Sequence, residues 1–385
     1  MGDPIAVEPF TIAVDETVLA DLRDRIRRTR WPNRSGSAWD DGADPAYIRE
    51  LVSAWADEFD WRGYERDLNN LAHHRATIDG LGVHFIHERG NGPAPLPIVL
   101  THGFPSSFLE HLTVLPLLTD PAAHGGHAED AFDVVVTSLP GYGFSDPPTG
   151  PWSEAAVADR WCRLMRDGLG YDRFGAHGSD IGSGVTIELG RRHPEHLVGI
   201  HLSAFYLDPP PEPWPPAVRW FIETSARERA PDVAYSRMQS TRPQTLAHGL
   251  SDSPAGLAAW IVDLFRTFSD CGGDVEARFS RKHLLANLTV YWATSTIASA
   301  MRPYYDFAHA RTAPPADARI RVPSGFAVFA DSFRPGSART PRELAEHAFP
   351  IARWTEMPSG GHFAALEEPQ LFVEEIRAFF RPLRR

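Results

Sequence analysis

The sequence predicts an α/β fold: a mostly parallel central sheet with helices on both faces, preceded by a helical leader and interrupted by a helical insertion. Apolar residues recur at helical spacing before residue 75, short apolar runs alternate with helical segments from residue 76, and strand signals fade between residues 211 and 318. Continuous apolar strands separated by helices are typical of a parallel sheet that is covered on both faces. We therefore divide the chain into a leader (1–75), a first core part (76–210), a helical cap (211–318) and a second core part (319–385).

The individual elements follow in order along the chain. In the leader, Val18, Leu22 and Ile26 recur at helical spacing, and residues 46–59 repeat the pattern. Two strands are expected around Asp79-Gly80, because this dipeptide favours a tight hairpin turn. Further strands are predicted at 97–101, 133–140, 197–205 and 324–330, with helices at 105–120 and 153–169.

Composition argues against several classes of partner. The net charge is −12, so we expect neither nucleic acid nor an anionic membrane as a partner. Cys162 and Cys271 are too few for a disulfide framework and stand in no metal-ligand spacing, which predicts a protein without bound metal in the reducing cytoplasm. The first residues lack the basic segment and the long apolar segment that a secretory signal peptide needs. No apolar run reaches the ~18 residues that a membrane span needs. A homodimer is left open.

The most unusual motif is G-S-D-I-G at residues 178–182. Small residues on both sides of a central nucleophile are typical of a sharp turn from a strand into a helix, where a side chain is pushed outward. Most hydrolases carry Ser or Cys at the centre, but this chain carries Asp180. The ordinary alternative is an aspartate in a glycine-rich loop or at a helix N-cap.

Three further segments complete a candidate site. The backbone N–H groups of Phe104, in H-G-F-P, and of Ile181 are expected to stabilise an oxyanion. His362 follows the last strand between glycine and phenylalanine, and its place in the order nucleophile, acid, histidine predicts a catalytic base. The acid is expected to be Asp331, after the strand at 324–330, with Asp208 as the competing assignment.

Together these segments resemble the α/β-hydrolase epoxide hydrolases, and within them the microsomal-type branch with its N-terminal epoxide hydrolase region. The resemblance spans nearly the whole chain. The motifs that carry it include PFTIAVDETVLADLRDRIRRTRWP, FDWRGYERDLNNLAHHRATIDGLGVHFIHERG, HGFPSSFLEH, LPGYGFSDPP, GSDIGS, YWATSTIASAMRPYY and PSGGHFAALEEP. Two departures stand out: many relatives have H-G-W-P where this chain has H-G-F-P, and VFADSF lacks the proline that often precedes the acid.

The resemblance implies a chemical role for Asp180. A carboxylate can attack the saturated carbon of an epoxide and form an ester, whose carbonyl is then open to water activated by His362. Tyr235 and Tyr304 match the two cap tyrosines that protonate the opened ring, although the adjacent Tyr305 leaves the second assignment open by one residue. The implied partners are a small epoxide and water, and the implied reaction needs no cofactor.

The same scaffold allows two other functions. A haloalkane dehalogenase also uses an aspartate at this turn, but commonly has tryptophan directly after it to bind halide, where this chain has Ile181. A non-catalytic binding protein on the same scaffold would be expected to lose members of the set. The arginine-rich, lysine-poor composition suggests a high-GC bacterium, and the resemblance then allows a role in natural-product pathways such as enediyne biosynthesis.

Overall fold

The described part of the leader contains three capped helices. The computed structural model describes residues 5–33, 39–207, 209, 212–228, 234–310, 319–330 and 339–384. The helices start after Asp15, Asp44 and Asp60, whose carboxylates accept hydrogen bonds from N–H groups of the first turn. Such caps satisfy amides that a helix start leaves unpaired. The leader elements are β1 (Val7–Pro9), α1 (Glu16–Arg27), α2 (Pro45–Asp57) and α3 (Trp61–Leu68).

Nine strands of the described residues form one mixed sheet in the order β1-β2-β3-β5-β4-β6-β7-β8-β9. Three neighbouring pairs are antiparallel, namely β1 with β2, β2 with β3 and β3 with β5. The remaining pairs in the sheet are parallel. The predicted hairpin is present, with positive φ at Asp79 and Gly80. The short β1 was not predicted, because three residues carry too little pattern. The other strands are β2 (His73–Ile78), β3 (Leu81–Glu88), β4 (Leu96–Thr101), β5 (Phe132–Thr137), β6 (Phe174–Ser179), β7 (Leu197–Ser203), β8 (Ser324–Val328) and β9 (Ile351–Glu356).

Helices cover both faces of the sheet. Alternate side chains of β4 point into two different hydrophobic clusters: Val99 joins Trp161 on one face, and Ile98 joins Phe372 on the other. This two-sided burial explains why the central strands are continuous apolar runs, and it confirms the predicted fold class. The helices are α4 (Leu115–Thr119), α5 (Glu154–Arg163), α6 (Ile181–Arg192), α7 (Pro216–Glu228), α8 (Ala234–Thr241), α9 (Pro243–Asp252), α10 (Pro254–Phe268), α11 (Arg281–Ala293), α12 (Ile297–His309), α13 (Glu343–Glu346), α14 (Ala364–Glu367) and α15 (Pro369–Phe380).

Helices α7 to α12 lie between β7 and β8 in the chain and form the cap, against which the leader packs. Helices α1 and α2 contact α10 and α11. The indole Nε1 of Trp55 donates to Oγ1 of Thr289 at 2.8 Å, and the hydroxyl of Tyr47 donates to Glu276 at 2.9 Å. The leader is therefore attached to the cap by packing and by these two hydrogen bonds.

The described helices and side chains bear on membrane crossing and metal binding. Within the described ranges, no helix combines the length and apolar content that crossing a bilayer requires. In the same part of the chain, no group of three or more His, Cys, Asp or Glu side chains is arranged to hold a metal ion. Cys162 and Cys271 are both buried and form no disulfide.

Candidate active site

Asp180 lies in the sharp turn between β6 and α6. Its φ of 53° and ψ of −123° belong to a region that residues with side chains rarely adopt. The flanking glycines are necessary, because a Cβ on Gly178 would lie 2.0 Å from the carbonyl oxygen of Gly182, and one on Gly182 would lie 2.1 Å from that of Thr101. The N–H of Asp180 donates to the carbonyl oxygen of Ala204 at 3.0 Å. The turn is thereby fixed to the neighbouring strand and its strained conformation is held in place.

The two carboxylate oxygens of Asp180 have different surroundings. Oδ1 accepts a hydrogen bond from the N–H of Phe104 at 2.9 Å, and the N–H of Ile181 also binds the carboxylate. Oδ2 lies 3.6 Å from Nε2 of His362. Burial raises the pKa of Asp180, while the charge of His362 and the two amides oppose the rise. The two predicted oxyanion donors therefore converge on the predicted nucleophile.

The loop that carries Phe104 approaches Asp180 closely. A Cβ on Gly103 would lie 2.3 Å from Oδ1 of Asp180, so glycine is needed at this contact. The neighbouring His102 is fully buried; its Nε2 accepts from the N–H of Leu139 at 3.3 Å. Burial lowers the pKa of His102 to about 4. Its imidazole is therefore a neutral packing group, and this loop faces the site through its backbone.

His362 lies in the loop between β9 and α14. Its backbone N–H donates to the carbonyl oxygen of Phe268 at 3.0 Å, and its ring contacts those of Phe268 and Phe363, at centroid distances of 5.4 and 4.9 Å. The side chain is 7% exposed. The imidazole thus reaches Asp180 from a loop that is packed on the end of α10.

The carboxylate that would orient His362 remains a prediction. Asp331 and the competing Asp208 both lie outside the described residues. Strand β8, which ends at Val328, leads towards residue 331. Its carboxyl end lies at the same edge of the sheet as Asp180, because β6, β7 and β8 are parallel neighbours.

The two predicted tyrosines meet over the nucleophile. Tyr235 in α8 and Tyr304 in α12 have ring centroids 5.8 Å apart and form a side-chain hydrogen bond. The ring of Phe104 lies 5.8 Å from that of Tyr304. Burial raises the pKa of Tyr304 well above its usual value. The adjacent Tyr305 instead stacks on His309 at 4.0 Å, so Tyr304 is the one that faces Asp180.

A cavity joins the nucleophile to both tyrosines. Its volume is about 350 Å³, within the ~300–1,000 Å³ that small-molecule sites commonly have. Aromatic and aliphatic side chains form much of its wall. The lining residues are Glu154, Asp180, Ile181, Ser183, Gly184, Tyr206, Tyr235, Ser236, Tyr304 and Phe307.

Two buried carboxyl groups beside the site were missed by the sequence analysis. One is Glu110, which accepts a hydrogen bond at 2.9 Å from the hydroxyl of Ser179, the residue that precedes Asp180; the other is Glu367. Burial raises the pKa of Glu110 to about 8 and that of Glu367 to about 7. Both glutamates lie in short segments that also contain polar residues, where a glutamate is ordinarily exposed. Only their presence within the motifs HGFPSSFLEH and PSGGHFAALEEP could have drawn attention to them.

Comparison with known proteins places this geometry in a family. Residues 7–111 match the family model described as epoxide hydrolase N terminus, and residues 98–375 match that of the alpha/beta hydrolase family. A Stigmatella aurantiaca protein named as a candidate epoxide hydrolase is 41% identical over 98% of this chain and 86% of its own length. Epoxide hydrolase 1 of Oryctolagus cuniculus is 31% identical over 97% of this chain and 88% of its own.

Solved structures agree with the sequence relatives. The juvenile hormone epoxide hydrolase of Bombyx mori superposes with a TM-score of 0.82 at 26% identity, over 99% of this chain and 95% of that one. The Aspergillus niger epoxide hydrolase gives a TM-score of 0.83 at 28% identity, over 98% and 97% of the two chains. These similarities span the leader, the core and the cap together. The chain belongs to the alpha/beta hydrolase family and, within it, to the epoxide hydrolases.

Proposed function

We propose that the protein converts an apolar epoxide to a vicinal diol through an ester on Asp180. The observation that carries this proposal is that the two oxygens of the Asp180 carboxylate have different partners. Oδ1 accepts from the amide of Phe104, and the amide of Ile181 also binds the carboxylate, whereas Oδ2 lies 3.6 Å from His362; Asp180 lines a cavity that also contains two tyrosines.

In the first half-reaction, Oδ2 of Asp180 attacks a ring carbon of the epoxide. A carbon–oxygen bond forms, the ring carbon–oxygen bond breaks, and its electron pair moves to the ring oxygen. Tyr304 or Tyr235 donates its phenolic proton to that oxygen. The raised pKa of Tyr304 keeps this proton in place at neutral pH, and the resulting alkoxide is a strong enough base to take it.

In the second half-reaction, water attacks the ester carbonyl carbon of Asp180. His362 accepts a proton from this water through Nε2. The carbonyl oxygen is Oδ1, which the amide of Phe104 already binds, and the amide of Ile181 binds the same carboxyl group, so the negative charge of the tetrahedral intermediate develops beside donors that are in place. Collapse breaks the bond to the alcohol oxygen, which takes the proton from His362, and leaves Asp180 as a carboxylic acid. The proton of that acid, which is the second proton of the water, passes to the tyrosinate as the diol leaves, so that Asp180 is again a carboxylate and the tyrosine is again protonated.

The nature of the nucleophile explains why turnover is possible. A serine at position 180 would form an ether on the same carbon, and an ether has no carbonyl for water to attack. Every step uses groups of this chain and water alone, so we propose a reaction without cofactor or metal. The two buried, unpaired thiols agree with a reducing compartment such as the cytoplasm.

The cavity favours a bulky apolar epoxide as substrate. The cavity wall includes the apolar side chains of Ile181, Tyr206 and Phe307, of which Tyr206 and Phe307 are exposed. Burial of apolar substrate surface there contributes about 25 cal/mol per Å². Dehalogenation is not favoured, because the aliphatic side chain of Ile181 cannot donate a hydrogen bond to a leaving halide.

Isotope transfer tests the ester route. The enzyme is given excess styrene oxide in water enriched in ¹⁸O, and after many turnovers the peptide that contains Asp180 is analysed by mass spectrometry. Label in that carboxylate is expected, because the water oxygen enters Asp180 and the diol takes the oxygen of Asp180. Label in the diol from the first turnover, with none in Asp180, would overturn the proposal in favour of direct attack by water.

A further inference from the structure

Glu367 binds three backbone N–H groups although it lies outside the cavity. It is the last residue of α14 and is 6% exposed. Its Oε1 accepts from the N–H of Phe363 at 2.9 Å, and its Oε2 accepts from those of Gly361 at 3.0 Å and Asp270 at 2.7 Å. Both carboxylate oxygens are therefore used, and each bond is a charge-assisted hydrogen bond to the main chain when the carboxyl is ionised.

Two of these three N–H groups flank His362 in the sequence. Gly361 precedes the histidine and Phe363 follows it, so one carboxylate holds the peptide groups on both sides of the predicted base. The N–H of His362 itself donates to the carbonyl oxygen of Phe268. All three consecutive amides of the loop are thus satisfied, which fixes the position and direction from which the imidazole leaves the main chain.

The third N–H group connects this loop to the cap. Asp270 follows α10, and its carboxylate accepts from the N–H of Gly360 at 3.2 Å. A Cβ on Gly361 would lie 2.9 Å from both the nitrogen of Asp270 and the carbonyl oxygen of Phe268, so the two segments are in close contact. Glu367 therefore joins the histidine loop of the core to the cap segment 268–271.

We propose that Glu367 is a positioning residue that holds His362 for hydrolysis of the ester. The inference rests on the proposed function, since it assigns Glu367 to the second half-reaction. Ester formation depends on Asp180 and the tyrosines, which Glu367 does not contact in the hydrogen bonds above. Water activation depends on the place of His362, where an error of about 1 Å can cost about 10²-fold in rate. The loss of Glu367 should therefore affect the second half-reaction more than the first.

The test compares the two half-reactions in Glu367→Gln. The amide has one accepting oxygen instead of two, so it cannot satisfy all three N–H groups. Rapid-quench mixing with styrene oxide, followed by intact-protein mass spectrometry, gives the rates at which the ester on Asp180 forms and disappears. We expect hydrolysis to slow by tenfold or more, on the order of what loop displacement costs, with little change in formation, so that the ester accumulates.

A second buried glutamate supplies the matched control. Glu375 on α15 is 3% exposed and binds Arg353 through both carboxylate oxygens at 2.7 Å, on another part of the core. Glu375→Gln should lower the melting temperature without changing the ratio of the two rates. If Glu367→Gln does not fold, Glu367→Asp, which keeps both oxygens but retracts them, is measured instead and should show a smaller change in the same ratio.

The outcomes separate the two proposals. If wild-type protein forms no ester on Asp180 yet produces diol, the proposed function fails. If wild-type protein forms the ester and the folded Glu367 variant slows both half-reactions by the same factor, or neither, Glu367 has only a structural role and the inference is overturned.

Discussion

Substitution of Gly103 by alanine should inactivate the site although it replaces none of the reacting groups. The added Cβ would lie 2.3 Å from Oδ1 of Asp180 and 2.4 Å from its Cβ. Ordinary contact between carbon and its neighbours begins near ~3.5 Å, so the carboxylate must move by roughly 1 Å. That movement withdraws Oδ1 from the N–H of Phe104, and a displacement of this size costs about 10²-fold in rate. The rates of both half-reactions should fall, because Oδ2 attacks in the first, Oδ1 carries the negative charge in the second, and both oxygens belong to the displaced carboxylate.

Steady-state hydrolysis of styrene oxide measures the effect, with a thermal melt to show that the variant is folded at the assay temperature. Gly249→Ala is the control, since a Cβ at this position in α9 meets nothing within 4 Å and alanine favours a helix. The control should keep wild-type activity. Activity of Gly103→Ala within a factor of about two of wild type would show that the close approach to Asp180 does not position the carboxylate.

Three further outcomes follow from the same geometry. His362→Gln should form the ester on Asp180 and fail to hydrolyse it; unmodified protein after exposure to epoxide, seen by intact mass, would contradict this. In rapid-quench experiments, Tyr304→Phe should slow ester formation by roughly tenfold, and the double variant Tyr304→Phe/Tyr235→Phe should slow it by about 10²–10⁴-fold. Tyr305→Phe should leave the rate of ester formation unchanged. Because burial raises the pKa of Asp180 and only the ionised carboxylate attacks, ester formation should fall with falling pH through a midpoint above 3.8; a midpoint at or below that value would be inconsistent with the buried site.

The fold and the meeting of Phe104, Ile181 and Asp180 could be predicted because both follow from local pattern. Parallel strands that are neighbours place their carboxyl ends at one edge, so loops after β4 and β6 must converge. The choice between Tyr304 and Tyr305 could not be made from sequence, because one residue along a helix turns a side chain by about 100°. The buried state of Glu367 was equally hidden, since it depends on a loop and a cap segment that are about 90 residues apart and meet only in the folded chain.

The leader helices help to hold the cap in place relative to the core. The tyrosines lie on α8 and α12 of the cap, whereas Asp180 and the amides belong to the core, so the proposed reaction needs the two parts held in a fixed relation. Preorganised sites tolerate errors of only about 0.5 Å. The cap is held from one side by the leader, through contacts such as Trp55 with Thr289, and from the other by the histidine loop, whose N–H groups at His362 and Gly360 donate to Phe268 and Asp270. A loosened cap would move Tyr235 and Tyr304, the proposed proton donors, away from Asp180, so both sets of contacts maintain the same distance.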